Sequence, residues 1–186
     1  MTELCLIRHG ETNENAAGIL QGHLPCLLSD VGREQVERLR ESLRGQHFDA
    51  LLSSDLPRAL QTAEILNEAL QLPLLATPLL RERDWGEWTG RKISEIQGGE
   101  FPPSVESVEE MSDRALELLY FVEKQFAGKR VAAVTHGLFA RCIQAVAACS
   151  TIRETPRWGN AELRTLRLDG VRLAVGKVGE SDVSAD

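Results

Sequence analysis

Arg8-His9-Gly10-Glu11 closes the first apolar run of the chain, Leu4-Cys5-Leu6-Ile7, and sets a guanidinium beside an imidazole where a strand gives way to a turn. Open α/β sheets carry their chemistry at such strand ends. An imidazole nucleophile next to a planar cationic fork suits phosphate esters above other substrates, because the fork matches phosphate oxygens bidentately. Three later segments supply what the reaction still lacks. Ser53-Ser54-Asp55-Leu56-Pro57-Arg58 follows the apolar run Ala50-Leu51-Leu52 and opens a helix, with Asp55 expected as N-cap, Pro57 in the first turn and Arg58 near the helix N-terminus. Leu80-Arg81-Glu82-Arg83-Asp84-Trp85-Gly86-Glu87-Trp88 is a loop dense in charge that offers a carboxyl. Val131-Ala132-Ala133-Val134-Thr135-His136-Gly137 is a second buried-looking strand that ends in His-Gly.

Each segment alone has a plainer reading. Arg-His-Gly-Glu is most often a solvated strand end, His136 a satisfied histidine beside a core, Arg58 a helix ion pair and Glu82 part of a solvated loop. Their joint occurrence, in order and each at a strand end or helix start, outweighs those readings. Hydrolysis of a phosphate monoester needs a nucleophile, cations on the equatorial oxygens and an acid for the leaving alkoxide. The four segments hold all three.

On these residues the chain resembles the histidine phosphatase superfamily, the group that includes phosphoglycerate mutase, over residues 6–170. The resemblance implies that His9 is the phosphorylated nucleophile, that Arg8, Arg58 and His136 form the phosphate pocket, and that Glu82 is the proton donor. Further matches are Asn15, Gln21-Gly22, Glu106-Ser107 followed by Arg114, and Asn160. One departure is Thr89, where many relatives carry Glu, and it bears on substrate detail. Asn15, Gln21, Gly22 and Gly137 are expected to border the substrate.

The same roles follow from elementary chemistry. His9 can attack phosphorus in line if it is neutral and its other ring nitrogen is held, for which a backbone carbonyl near Gly10 is the expected partner. Arg8 and Arg58 would help keep it unprotonated, and His136 could donate to the phosphoryl group. Helix N-termini after Asp55 and Gly137 add positive potential. Glu82 must be protonated when substrate binds, and must then deprotonate water. No metal or cofactor is required, and a metal site on His9, His136 and Glu82 is disfavoured because the neighbouring arginines repel a cation. The expected function is hydrolysis of a small phosphorylated metabolite. A phosphotransferase of the mutase kind and a non-catalytic phospho-ligand module are the alternatives. Hydrolysis leads because residues 89–104 offer only one short helix, whereas mutases resemble this chain only with further helical insertions that enclose the ligand.

Composition sets outer bounds. A length of 186 residues with no linker or composition break suits one domain over residues 1–178, followed by a polar, acidic, low-order tail at 179–186. A formal charge of −7 argues against nucleic acid or an anionic membrane as partner and makes a cluster of arginines a local exception. Cys5, Cys26, Cys142 and Cys149 show no zinc spacing, and Cys5 and Cys142 read as buried thiols. The first strand starts by Leu4, which leaves no room for a signal peptide, and no run reaches membrane-spanning length; a cytoplasmic location is expected. Oligomeric state is not legible.

The elements that must position these residues alternate. Strands are expected at 4–7, 50–53, 74–76 and 130–135, with helices from Ser29 to 44, 57–70, about 91–97, from Ser104 or Ser107 to 126, and 138–148. Asp169-Gly170 suggests a hairpin turn between strands at 162–168 and 171–175. Residues 77–103 carry few periodic apolars and suggest a lid or substrate loop, in which packing is the leading role for Trp85, Trp88 and Phe101. The alternation predicts a three-layer α/β/α sandwich on a mostly parallel sheet, and the resemblance adds one antiparallel strand.

Overall fold

The run Leu4-Cys5-Leu6-Ile7 has no exposed side chain on either face, the condition under which an apolar strand lies at the centre of a parallel sheet. The computed structural model describes residues 1–96 and 100–169, and in it this run belongs to β1 (Thr2–Arg8). β2 (Ala50–Ser54), β3 (Leu74–Thr77), β4 (Arg130–Thr135) and β5 (Leu163–Leu168) complete one sheet in the order β3-β2-β4-β1-β5. β1 pairs in parallel with β4, β4 with β2 and β2 with β3, while β5 runs antiparallel to β1. The expected strand at 162–168 is thus present, whereas its expected return at 171–175 and the tail at 179–186 lie outside the described residues.

Alternation along β1 sorts its side chains between two helical layers. Leu4 and Leu6 join a core with α5 (Val108–Gln125) and α6 (Gly137–Ala148), where Met111, Leu118, Leu119, Phe139 and Ile143 are all fully buried. Cys5 and Ile7 face α2 (Asp30–Leu43) and α3 (Pro57–Leu70), meeting Val36, Ala59, Ala63 and Leu66. The result is the expected three-layer sandwich. Two four-residue helices, α1 (Asn13–Ala16) and α4 (Ile93–Ile96), sit in the connections after β1 and β3.

Helix starts follow local chemistry at α2 and α5 but not at α3. Ser29 Oγ accepts from Gly32 N at 3.0 Å and caps α2, and Ser107, not Ser104, caps α5 in a reciprocal box with Glu110. Asp55 does not cap α3. The N-cap is Leu56, without a side-chain bond, and Asp55 instead takes a bidentate pair from Arg81 at 2.7 and 2.6 Å. A guanidinium fork across the sheet end is a stronger partner for a carboxylate than one backbone N–H, so the tertiary contact overrides the local one. Cys5 and Cys142 are fully buried as expected, and among the described residues no helix is long and apolar enough to cross a membrane.

Candidate active site

Register alone brings the two His-Gly signatures together. β1 and β4 pair in parallel up to Arg8 opposite Thr135, so the next residues, His9 and His136, leave adjacent strands side by side. His9 N donates to Thr135 O at 3.0 Å, and the two imidazole centroids lie 5.1 Å apart with an edge-on tilt of 62°. A carbonyl can only accept, so the 2.6 Å contact between His9 Nδ1 and Gly10 O places the ring proton on Nδ1. Nε2 is left with its lone pair, which accepts from Arg58 Nε at 3.2 Å. Burial, then Arg58, then Arg8, holds the His9 pKa well below the ordinary imidazole range, against a smaller opposing effect of the Gly10 carbonyl. The ring is neutral, with an unprotonated nitrogen aimed at a cation.

Arg58, on the first turn of α3, is only 1 % exposed. Its remaining nitrogens donate to Gly22 O at 2.8 Å and Leu24 O at 3.2 Å. Gly22 adopts a φ of +47°, and a Cβ there would sit 3.1 Å from Thr89 Oγ1, so glycine is what lets this turn present its carbonyl to the guanidinium. Thr12 Oγ1 donates to Gln21 Oε1 at 3.0 Å and accepts from Asn15 N at 3.1 Å. Asn160 Nδ2 donates to His9 O at 3.2 Å and to Asn15 Oδ1 at 3.4 Å, which ties this loop to the backbone of His9.

Arg8 donates from Nη1 to Trp158 O, while its buried Nε has no partner among the described residues. His136 is fully buried beside His9, with Nε2 bonded to Ser54 Oγ at 2.8 Å and Nδ1 likewise without a partner among the described residues. Burial first, then Arg58, lowers its pKa well below the usual range. Glu82 accepts Arg83 N at 2.9 Å and Phe139 N at 3.0 Å on Oε1, and Leu138 N at 3.2 Å on Oε2. Its carboxylate therefore caps the N-terminus of α6. Arg8, His9, Asn15, Gln21, Gly22, Arg58, Glu82 and Gly137 line one cavity of about 290 Å³, and of the expected site residues only His136 is not part of that lining, although its ring adjoins that of His9. Among the described residues, no three His, Cys, Asp or Glu side chains gather where a metal ion could be held.

The model of the histidine phosphatase superfamily (branch 1) matches residues 4–180. The chain belongs to this superfamily. It is 33 % identical over 172 residues to PhoE of Bacillus subtilis, an uncharacterized phosphatase, covering 90 % of this chain and 84 % of that one. It is 32 % identical over 191 residues to phosphoglycerate mutase-like protein 4 of Arabidopsis thaliana, covering 93 % and 83 %. Among solved structures, phosphoserine phosphatase of Entamoeba histolytica in complex with 3-phosphoglyceric acid superposes with a TM-score of 0.80 at 26 % identity, covering 89 % and 90 %.

In this histidine phosphatase, Glu106 and Arg114 have a role that sequence spacing did not reveal. Arg114 clasps Glu106 at 2.9 Å, and its Nη1 donates to Arg81 O at 2.7 Å and Leu79 O at 3.3 Å. Glu106 in turn accepts Asp84 N at 3.0 Å on its carboxylate and Arg83 Nε at 2.7 Å on its backbone carbonyl. The residues on both sides of Glu82 are thereby clamped to the start of α5. The carbonyl of Glu82 itself accepts from His23 Nε2 at 3.0 Å. Trp85 and Trp88 are buried, with Arg83 between the Trp85 and Phe101 rings at 4.7 Å from each, so packing is their main role, although Trp85 also borders the cavity. Ile19, Arg141, Arg157 and Trp158 are further wall residues that the sequence analysis does not name. Arg141 had a signal, since it follows Gly137 by one helical turn on the same face. Arg157 and Trp158 precede Asn160 in irregular chain and carry no periodic cue.

Proposed function

We propose that this histidine phosphatase is a cytoplasmic, metal-independent phosphomonoesterase that acts on a small phosphorylated metabolite through a phosphohistidine on His9. The observation that carries the reading is the ring of His9: neutral, protonated on Nδ1, with Nε2 facing Arg58. In the first step Nε2 attacks phosphorus, the bond to the leaving oxygen breaks, and that oxygen takes a proton from Glu82. In the second, Glu82 takes a proton from water as the water oxygen bonds phosphorus, and the N–P bond returns its electrons to Nε2.

Arg8, Arg58 and His136 would hold the transferring oxygens. The unpartnered Nε of Arg8 and Nδ1 of His136 support this, since a buried polar nitrogen left unpaired costs on the order of 1–3 kcal/mol and a phosphoryl oxygen would relieve it. To carry a proton, Glu82 has to surrender part of its acceptor role at α6, and a phosphoryl group there would take over the same N–H donors. Asn15, Gln21, Gly22 and Gly137 would border the substrate. Likeness to a mutase-like protein favours phosphotransfer as a second reading. Against it stands the segment after Thr89, where the described residues add only α4 and no larger insertion to exclude water.

The test is hydrolysis of p-nitrophenyl phosphate with EDTA present, combined with rapid quench of the phosphoenzyme. An intermediate that is labile in acid, stable in base and lost in His9→Ala is expected. Retention of turnover in that variant would remove His9 from the role.

A further inference from the structure

Glu82 is held at two places. Its carboxylate takes the N–H groups of Leu138 and Phe139, and its backbone carbonyl takes Nε2 of His23 at 3.0 Å. A carbonyl only accepts, so His23 carries a proton on Nε2. The other ring nitrogen, Nδ1, stands 3.9 Å from Asp84 Oδ2, beyond hydrogen-bond reach. His23 is not among the residues that line the cavity, yet the turn that bears it holds the buried guanidinium of Arg58. From this double attachment we infer that His23 is a positioning residue, which fixes Glu82 relative to Arg58 while Glu82 gives up its proton; this rests on the acid role proposed above for Glu82.

Gly22 and His23 are the central residues of a turn that Leu24 N closes on Gln21 O at 2.8 Å. The carbonyls on either side of His23, Gly22 O at 2.8 Å and Leu24 O at 3.2 Å, accept from Arg58. The main chain of the turn thus faces the phosphate-binding arginine, and the imidazole at its tip faces the acid. Arg81 O and Arg83 Nε are gripped by Arg114 and Glu106, near the start of α5, whereas the Glu82 carbonyl between them is tied across to the turn. In the free enzyme the carboxylate bonds at α6 make the His23 contact redundant for folding. With substrate bound that redundancy goes, because a phosphoryl group competes for the same two N–H donors and a protonated Glu82 accepts fewer of them. The carboxyl is then aimed by its own backbone, which His23 fixes on the side of Arg58. A shift of about 1 Å in a reacting group lowers a rate by up to about 10²-fold. The His23 side chain is 33 % exposed, so water can replace it on the carbonyl; its removal should disturb the aim of the acid far more than the stability of the fold.

Two esters separate aim from binding. The alkoxide of glycerol 3-phosphate must be protonated as it leaves, whereas the phenolate of p-nitrophenyl phosphate needs little help. In His23→Leu the ratio of kcat for the first to kcat for the second is expected to fall about tenfold, Ki for inorganic phosphate to change less than about twofold, and Tm to drop by no more than about 4 °C. His23→Gln sets an amide N–H near the place of Nε2 and should recover most of the ratio; His23→Asn sets one near Nδ1, short of the carbonyl, and should not. An unchanged ratio in His23→Leu, with the ratio still lowered in Glu82→Gln, would overturn the role of His23 and leave the acid in place. Equal recovery by Asn and Gln would overturn the bond to the Glu82 carbonyl as the cause. A loss of phosphate affinity as large as the loss of kcat would overturn positioning of the acid and make His23 a support of the turn. An unchanged ratio in Glu82→Gln would overturn the acid role itself, and no turnover of either ester would overturn the phosphatase reading with it.

Discussion

Replacing Arg114 with methionine tests whether a contact remote from phosphorus governs the proposed acid. Methionine is unbranched and reaches as far as Nε, so it keeps the apolar stem while removing the guanidinium, which lies 3.9 Å over the Phe139 ring. It deletes five hydrogen bonds: three to Glu106 and one each to the carbonyls of Leu79 and Arg81. The paired side chains are only 18 % and 15 % exposed, so solvent cannot replace these bonds fully. Removing one partner of a largely buried pair costs about 3–5 kcal/mol; because Glu106 keeps the Asp84 N–H, the lower end, about 3 kcal/mol, is expected. In a chain of this size that lowers Tm by roughly 6–12 °C. Calorimetry and urea unfolding measure it, and Arg114→Lys, which keeps charge without the fork, should recover less than half. Below Tm, turnover of glycerol 3-phosphate should fall about tenfold more than that of p-nitrophenyl phosphate, because only the poor leaving group depends on a well-placed acid. A Tm shift under 2 °C would refute the clamp. A full shift with both substrates equally slowed would make it a purely structural contact.

Three further outcomes follow from the site. Glu82→Gln should slow glycerol 3-phosphate by roughly 10²–10⁴-fold and p-nitrophenyl phosphate far less, and equal losses would count against Glu82 as acid. His9 and His136, held neutral chiefly by burial, take up no second ring proton in the folded protein where unfolded imidazoles, with pKa about 6.5, begin to do so. The unfolded chain gains protons first as pH falls, so stability is flat above about pH 7.5 and declines below about 6.5, with a slope approaching 2.7 kcal/mol per pH unit from the two together. Urea titrations from pH 7.5 to 5.5 should show this, with about half the slope in His136→Gln; a level profile would contradict the buried neutral pair. Gly32→Ala should destabilise by about 2 kcal/mol or more, since its Cβ would lie 2.0 Å from Glu11 O and must displace backbone next to the His9 turn; unchanged unfolding would show that this contact relaxes freely.

How much of this was legible beforehand depended on the range of the interaction concerned. Apolar runs and helical spacing encode burial locally, so β1, β2, β3, β4, α2, α3, α5 and α6 could be located, and with them the fold class. Most residues that meet at the cavity could be picked out because strand ends and helix starts carry them, and the parallel register of β1 with β4 then brings His9 beside His136. Asp55 was misjudged because a capping preference is a weak local bias and Arg81, 26 residues away, offered two charged bonds. Arg157 and Trp158 were invisible because irregular chain has no period to read.

From residue order alone came the four segments, their placement at element ends, the α/β alternation and an arginine cluster that contradicts the acidity of the whole chain. Tertiary structure decided which nitrogen of His9 holds the proton, that Glu82 caps α6, that Arg114 and Glu106 grip its neighbours, and that a second pair of arginines faces the same cavity. The division has a single cause. Burial and turns arise from near neighbours along the chain, whereas a hydrogen bond between residues 49, 57 or 150 positions apart exists only once sheet register and helix packing have set where both ends lie.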